Sequence, residues 1–191
     1  MHSQAPGGGT ARPDVLAHVA GNVRRLRQAR EMSQSALAER SGISRRMIVA
    51  VESGEANVSL SSLDRLAEAL GVSFAEIVRS PEATDNRRID SVAWRGDDPD
   101  SRAILLGTAP ATREAELWIW TLAEGERYPA EADSAAWHEM LYVIAGELHV
   151  ETAEGRQVVK TGDFLIFTSD RPYVFANGGR GVVRFVRNVV L

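Results

Sequence analysis

Apolar positions change their period once along this chain, and the change divides it. Up to residue 80 they recur every three to four residues. Val19, Val23 and Leu26 fall at i, i+4 and i+7, which predicts a helix ending near Ala29. Four further helix starts share one signature: an apolar residue, a serine, and a second apolar residue five positions after the first. They are Met32-Ser33-Leu37, Ile43-Ser44-Ile48, Val58-Ser59-Leu63 and Val72-Ser73-Ile77. A serine at the N-cap accepts a hydrogen bond from an orphan backbone N–H, and the flanking apolar pair closes over the turn as a hydrophobic staple. Ser73 with Glu76 completes a capping box. Gly42, Gly54 and Gly71 stand where helices end on a left-handed residue. Five short helices are predicted, closed by Pro81.

Beyond Pro81 the helical period stops. PEATDNRR and RGDDPDS are polar and turn-rich. RAILLGTA, AELWIWTL, MLYVIAGELHVET, RQVVK, DFLIFT and GVVRFVRNVVL are β-branched or aromatic runs. Glu154-Gly155, Gly162-Asp163 and Asn177-Gly178-Gly179 separate several of them. Many short strands predict an all-β barrel or sandwich. The expected organisation is a disordered glycine-rich tail over 1–13, an all-α domain over 14–80, a linker over 81–87 and an all-β domain over 88–191.

Charge sharpens that division. Residues 1–80 hold ten arginines against eight acidic residues, whereas 81–191 hold twelve basic against eighteen acidic. A polyanionic partner therefore belongs on the first unit. The chain has no cysteine, so disulfides and thiolate metal sites are excluded. No stretch reads as a signal peptide, and no apolar run nears the roughly 20 residues that span a membrane. A cytoplasmic protein with no membrane partner is the expectation.

The stretch QSALAERSGISRRMIVAVESG, from Gln34 to Gly54, places small Ala38 where two helices would cross and Gly42 in the turn between them. Leu37, Ile43, Ile48 and Val51 would share a core, leaving Arg45, Arg46, Val49 and Ala50 on the open side of the second helix. That suits a helix presented to a major groove. Residues 19–80 resemble the phage-repressor, or XRE, type of helix-turn-helix. The resemblance implies base contacts from Ser44, Arg45 and Arg46, with Val49 and Ala50 further along. It implies phosphate contact from Gln34 and backbone contact from the loop carrying Asn57. Arginine chemistry agrees, since a guanidinium pairs bidentately with guanine. Arg24, Arg25 and Arg27 are further candidates for phosphate. A head of this kind can also serve only to bind protein.

GERYPAEADSAAWHEMLYVIAGELHV and GDFLIFTSDRPYVFAN resemble the two motifs of the cupin family. The resemblance implies a double-stranded β-helix barrel and, in many members, a metal held by histidines and a glutamate. Glu139 stands at the glutamate position, but Glu131, Asp133 and Tyr173 stand near the histidine positions. Neutral imidazoles suit such metals and these replacements do not, so neither metal nor cofactor is expected. Trp118, Trp120, Tyr128, Tyr142 and Tyr173, with Glu131, Asp133 and Glu139, form instead a candidate pocket for a small-molecule effector. Core or interface packing is the plainer reading of the aromatics. The expected protein is a homodimeric, non-enzymatic regulator that binds operator DNA. The alternative is a metal-dependent cupin enzyme, of oxygenase or epoxidase type, carrying a DNA-binding head.

Overall fold

A computed structural model describes residues 15–56, 58–81, 87–111, 114–133 and 137–190. The tail expected over 1–13, and Asn57, lie outside them. Helices come first: α1 Val15–Ala29, α2 Gln34–Ser41, α3 Arg45–Ser53, α4 Leu60–Leu70 and α5 Phe74–Val78. Ser33, Ser44, Ser59 and Ser73 each cap a helix, accepting from Ala36, Met47, Ser62 and Glu76 in turn. The Ser73–Glu76 capping box is closed in both directions. Gly42 ends α2 at φ 67°, a conformation that Cβ-bearing residues rarely adopt. Val23, Leu37, Ile48, Leu66 and Ile77 fill the centre of this head. The Asn22 amide donates to the Ile77 and Arg79 carbonyls at 2.9 and 2.8 Å, fastening α1 to the end of α5.

Among the described residues ten strands follow: β1 Ser91–Arg95, β2 Arg102–Ala109, β3 Ala115–Leu122, β4 Arg127–Ala130, β5 His138–Ala145, β6 Glu147–Thr152, β7 Gly155–Lys160, β8 Phe164–Thr168, β9 Tyr173–Asn177 and β10 Val183–Val190. They form a six-stranded sheet ordered β1-β2-β3-β10-β5-β8 and a four-stranded sheet ordered β4-β9-β6-β7. All the pairings are antiparallel. The run MLYVIAGELHVET is two strands, broken at Gly146 with φ 84°. A Cβ there would lie 2.8 Å from the Val183 backbone.

Three strands were not among the predicted runs. Short β1 sits between two polar stretches, β9 follows Pro172, and β4 contains Pro129. Proline is tolerated in β4 because that strand is the edge of its sheet.

The two sheets enclose an aromatic core. Trp120 stacks on Trp94 and Phe185 with centroids 5.5 and 5.9 Å away, and meets Tyr128 edge-on at 4.7 Å. Phe175 closes the opposite side. Head and barrel touch where Phe74 of α5 meets Trp118 of β3, with centroids 5.5 Å apart. Among the described residues no helix is long and apolar enough to cross a membrane.

Candidate nucleic-acid interface and barrel mouth

The Ser44 cap starts α3 at Arg45, so the first turn projects from the head. Ile48 and Val51 face inward, while Ser44, Arg45, Arg46 and Val49 are exposed and Ala50 is half-buried. Met47 joins them at 39% exposure and Val49 stands at 42%. Met47 was not anticipated, although its place three residues after the cap puts it in the first turn. Arg24 and Arg25 are exposed on α1.

Arg27 is turned inward. Its guanidinium donates to both Glu52 carboxylate oxygens, at 2.6 and 2.9 Å, and to the Met32 carbonyl at 2.7 Å. It therefore does not join the exposed phosphate candidates. The reason is that Glu52, with its side chain 5% exposed, requires a charge partner. Gln34 also donates to Glu52, at 3.0 Å. The glutamine expected to meet phosphate is thus held at the start of α2 by an ion pair beneath it. Burial works against the Glu52 carboxylate, but the bonds from Arg27 and Gln34 outweigh it and hold its pKa below the ordinary value.

In the barrel, Glu139 is fully buried on β5 and Arg187 on β10 clamps it with two hydrogen bonds. The Tyr173 hydroxyl donates to the same carboxylate at 3.1 Å. Burial pushes the Tyr128 and Tyr173 phenols above their ordinary pKa, so both keep their protons at neutral pH. The guanidinium lies 5.7 and 5.9 Å from the Trp118 and Trp120 ring centroids.

These residues do not fit the metal that the cupin resemblance implies. A guanidinium holds the one matching carboxylate. His138 is exposed, at the position before Glu139 in β5 and so on the opposite face, and His149 pairs with Glu147. Among the described residues no three His, Asp or Glu side chains converge as a metal set. Arg187 escaped the sequence reading, although a signal was present. Val183, Phe185, Arg187 and Val189 are the inward positions of β10, and one of them is charged.

The candidate effector residues separate. Trp118, Tyr128, Glu131, Asp133 and Tyr173 line one mouth of the barrel. Glu139 lies beneath them, and Trp120 is sealed in the core. Tyr142 does not join them: it stands half exposed on the outer face of the six-stranded sheet. The cavity inside the mouth is only about 20 Å³, because the aromatic rings fill the space. A larger cleft, about 520 Å³, lies between the mouth and helices α4 and α5, with Asp64, Phe74, Glu116 and Trp137 in its walls.

An exposed capped helix on one unit and an acid-rich, aromatic barrel on the other describe a DNA-binding regulator with an appended cupin. Residues 23–77 match the helix-turn-helix family and residues 118–189 match the cupin domain. The chain is 43% identical over 65 residues to the control protein C.SmaI of Serratia marcescens, covering 34% of this chain and 77% of that protein. It is 26% identical over 167 residues to the HTH-type transcriptional regulator SutR of Escherichia coli K12, covering 85% of this chain and 89% of that one. A crystal structure of an HTH_3 family transcriptional regulator from Vibrio cholerae shares the fold. Its TM-score is 0.72 at 23% identity, over 94% of this chain and 99% of that one. The chain belongs to the helix-turn-helix transcriptional regulators and carries a cupin domain.

Proposed function

We propose that this protein binds operator DNA in the cytoplasm as a homodimer and that its cupin barrel, a double-stranded β-helix, joins the subunits and answers to an effector. The observation that carries the DNA reading is the open face of α3. Ser44, Arg45, Arg46, Met47 and Val49 are all exposed on a helix whose other side is packed. Ser44, Arg45 and Arg46 read base edges. Val49 and Ala50, with Met47, offer apolar contact to thymine methyls. Gln34, Arg24 and Arg25 meet phosphate, as does Asn57. The domains run as the charge division suggests: head over 14–80, linker over 81–87 and barrel over 88–191.

Dimerisation follows from the reading geometry, since two heads of this kind bind half-sites about 34 Å apart or a multiple of that spacing. The six-stranded sheet offers the surface. Tyr142 pairs with Phe164 and Met140 with Ile166 across β5 and β8, at 50, 64, 40 and 50% exposure. A second copy of the same face, related by a twofold axis, would bury this apolar block.

Selection of bound sequences from random DNA with the full chain tests the reading. A palindromic consensus is expected, lost when Arg45 and Arg46 are both alanine. No enrichment, or the same consensus from the variant, would overturn it. Sedimentation of Phe164→Lys should show monomers; a wild-type monomer that still reads a palindrome would refute the dimer.

A further inference from the structure

The cleft between head and barrel is far more acidic than the molecule around it. Among the described residues its walls carry seven carboxyl groups and one cationic side chain, Arg65. Arg65 lies at the exposed rim, 3.7 Å from Glu131, and so contributes little to the interior. Arg187, deeper in the barrel, is already committed to Glu139 and Tyr173. Deeper in, Glu116 is 6% exposed. One of its oxygens accepts from Trp118 Nε1 at 2.9 Å, and the other has no donor among the described residues. Asp133 Oδ2 and Trp137 Nε1 are sealed from solvent and are also without partners. Buried polar groups are ordinarily satisfied, so the unpaired Glu116 and Asp133 oxygens beside the cleft ask for a donor, while the Trp137 N–H asks separately for an acceptor.

The shape restricts what that donor can be. The carboxyl groups do not converge on one point closely enough to hold a metal ion. They are spread along a cleft of about 520 Å³ with Phe74 and Trp137 in its walls. A spread of acceptors with aromatic walls suits an extended cation with an apolar body. An anion would meet the charge it cannot approach.

We infer that this cleft is a binding site for a small organic cation, an amine or diamine, held between Asp64 of α4 and the Glu116 and Asp133 carboxylates of the barrel. The regulatory meaning of the site rests on the effector role proposed above. The ligand touches the head directly, through α4. Occupancy thus bears on how the head sits against the barrel, by as much as its affinity differs between the arrangements. Burial and the neighbouring Glu116 and Asp133 push the Asp64 carboxyl above its ordinary pKa.

Calorimetry on the full chain tests this, with hexamethylenediamine and benzylamine against hexanediol and benzyl alcohol, and with magnesium alone. One amine per chain is expected, with no binding of either alcohol and no displacement by magnesium. Glu116→Gln and Asp133→Asn should each weaken the amine roughly tenfold or more, Asp64→Asn should do the same, and Glu131→Gln at the exposed rim should change it little. The wild-type comparison of amine with alcohol needs no variant to fold. Neither amine binding at millimolar concentration, alcohols binding equally, or affinities untouched by all three interior substitutions would overturn the site. Unchanged affinity in Asp64→Asn alone would overturn the bridging role. Operator affinity is read separately: a chain that binds amine without altering DNA binding keeps the site and refutes the sensing role, and a chain that binds DNA but no amine refutes the site and leaves the DNA-binding reading standing.

Discussion

Among the described residues, each half of the molecule holds one arginine–glutamate pair out of solvent, and the two pairs serve different ends. In the head, Arg27 and Glu52 have side chains 12 and 5% exposed, and Glu52 passes its hold on to Gln34 at the surface. In the barrel, Arg187 and Glu139 are 10 and 0% exposed, and what surrounds them is Tyr173 and two tryptophan rings. The first pair aims an outward side chain. The second occupies the place where cupin resemblance would put a metal, and its charges balance each other within an aromatic core. A buried pair is costly to break, because the survivor is an uncompensated charge, and cheaper to replace as a whole.

The largest effect is therefore expected in the barrel. Arg187→Met leaves Glu139 buried with only a phenol, and should lower stability by about 3–5 kcal/mol in urea unfolding. The double variant Arg187→Met with Glu139→Leu should recover most of that loss. A single variant as stable as the wild type would show that the pair is not a fixed part of the core.

Next comes the head pair. Glu52→Gln should cost about 1.5–3 kcal/mol, the range for hydrogen bonds to charged groups, and should also weaken DNA binding by releasing Gln34. The pH responses of the two halves then run in opposite directions. The lowered pKa of Glu52 means that its contribution is present above the ordinary carboxylate value and lost as acid protonates it. Glu116 is the reverse. Burial raises it to about 7, against the opposing pull of Arg187 and the Trp118 hydrogen bond, with Glu114 and Glu139 adding to the rise. Asp64 on α4 and Asp133 beside the mouth face the same cleft. A raised carboxyl favours the folded state while protonated, so its contribution is present in acid and lost between its ordinary value and about pH 7. Hydrogen exchange across that window should show the head–barrel contact loosening as pH rises, and Glu116→Gln should flatten the trend. A contact that tightens with pH in the wild type would contradict the sign.

Smaller again is the effect of the reading face. Arg45→Ala and Arg46→Ala should each cost about 1–3 kcal/mol of operator affinity, with specificity relaxed at one base position. Folding should hardly change, since both side chains are exposed. Arg24→Ala should instead weaken all sequences alike and reduce the salt slope by about one. If Arg45 and Arg46 alter the salt slope without altering the consensus, they are phosphate contacts.

The same division explains what was legible in the sequence. The head is written locally: a cap, its staple and a terminal glycine lie within one or two turns, so each helix start could be read from a few residues. The barrel is written in pairings between distant strands. Runs such as RAILLGTA and AELWIWTL announce strands, but β4 is hidden by Pro129, and only its pairing with β9 makes it one. Tyr142 shows the limit for the site. Its residue type suited a pocket, yet the alternation of β5 puts it opposite Glu139's face. Arg27 beside Arg24 and Arg25 looked like one more phosphate contact, because its partner Glu52 lies 25 residues away. Asp64 carried no signal, since nothing local tells a helix on the head that it will cover a barrel mouth.

The smallest effect tests whether the local code and the distant contact are joined. Ser73 caps α5 in a closed box with Glu76, and removing a serine cap typically costs about 1 kcal/mol. Ser33 caps α2 in the same way but without the box. Alanine at either position should lower head stability by a similar amount. The consequences should differ elsewhere, because the residue after Ser73 is Phe74, whose ring rests on Trp118, whereas α2 is bonded through Gln34 to Glu52 of α3, within the head. Ser73→Ala should therefore raise hydrogen exchange in β3 as well as in α5, while Ser33→Ala leaves the barrel protected. Equal protection of β3 in the two variants would mean that the head and barrel unfold independently, and that Phe74 merely touches the barrel without coupling to it.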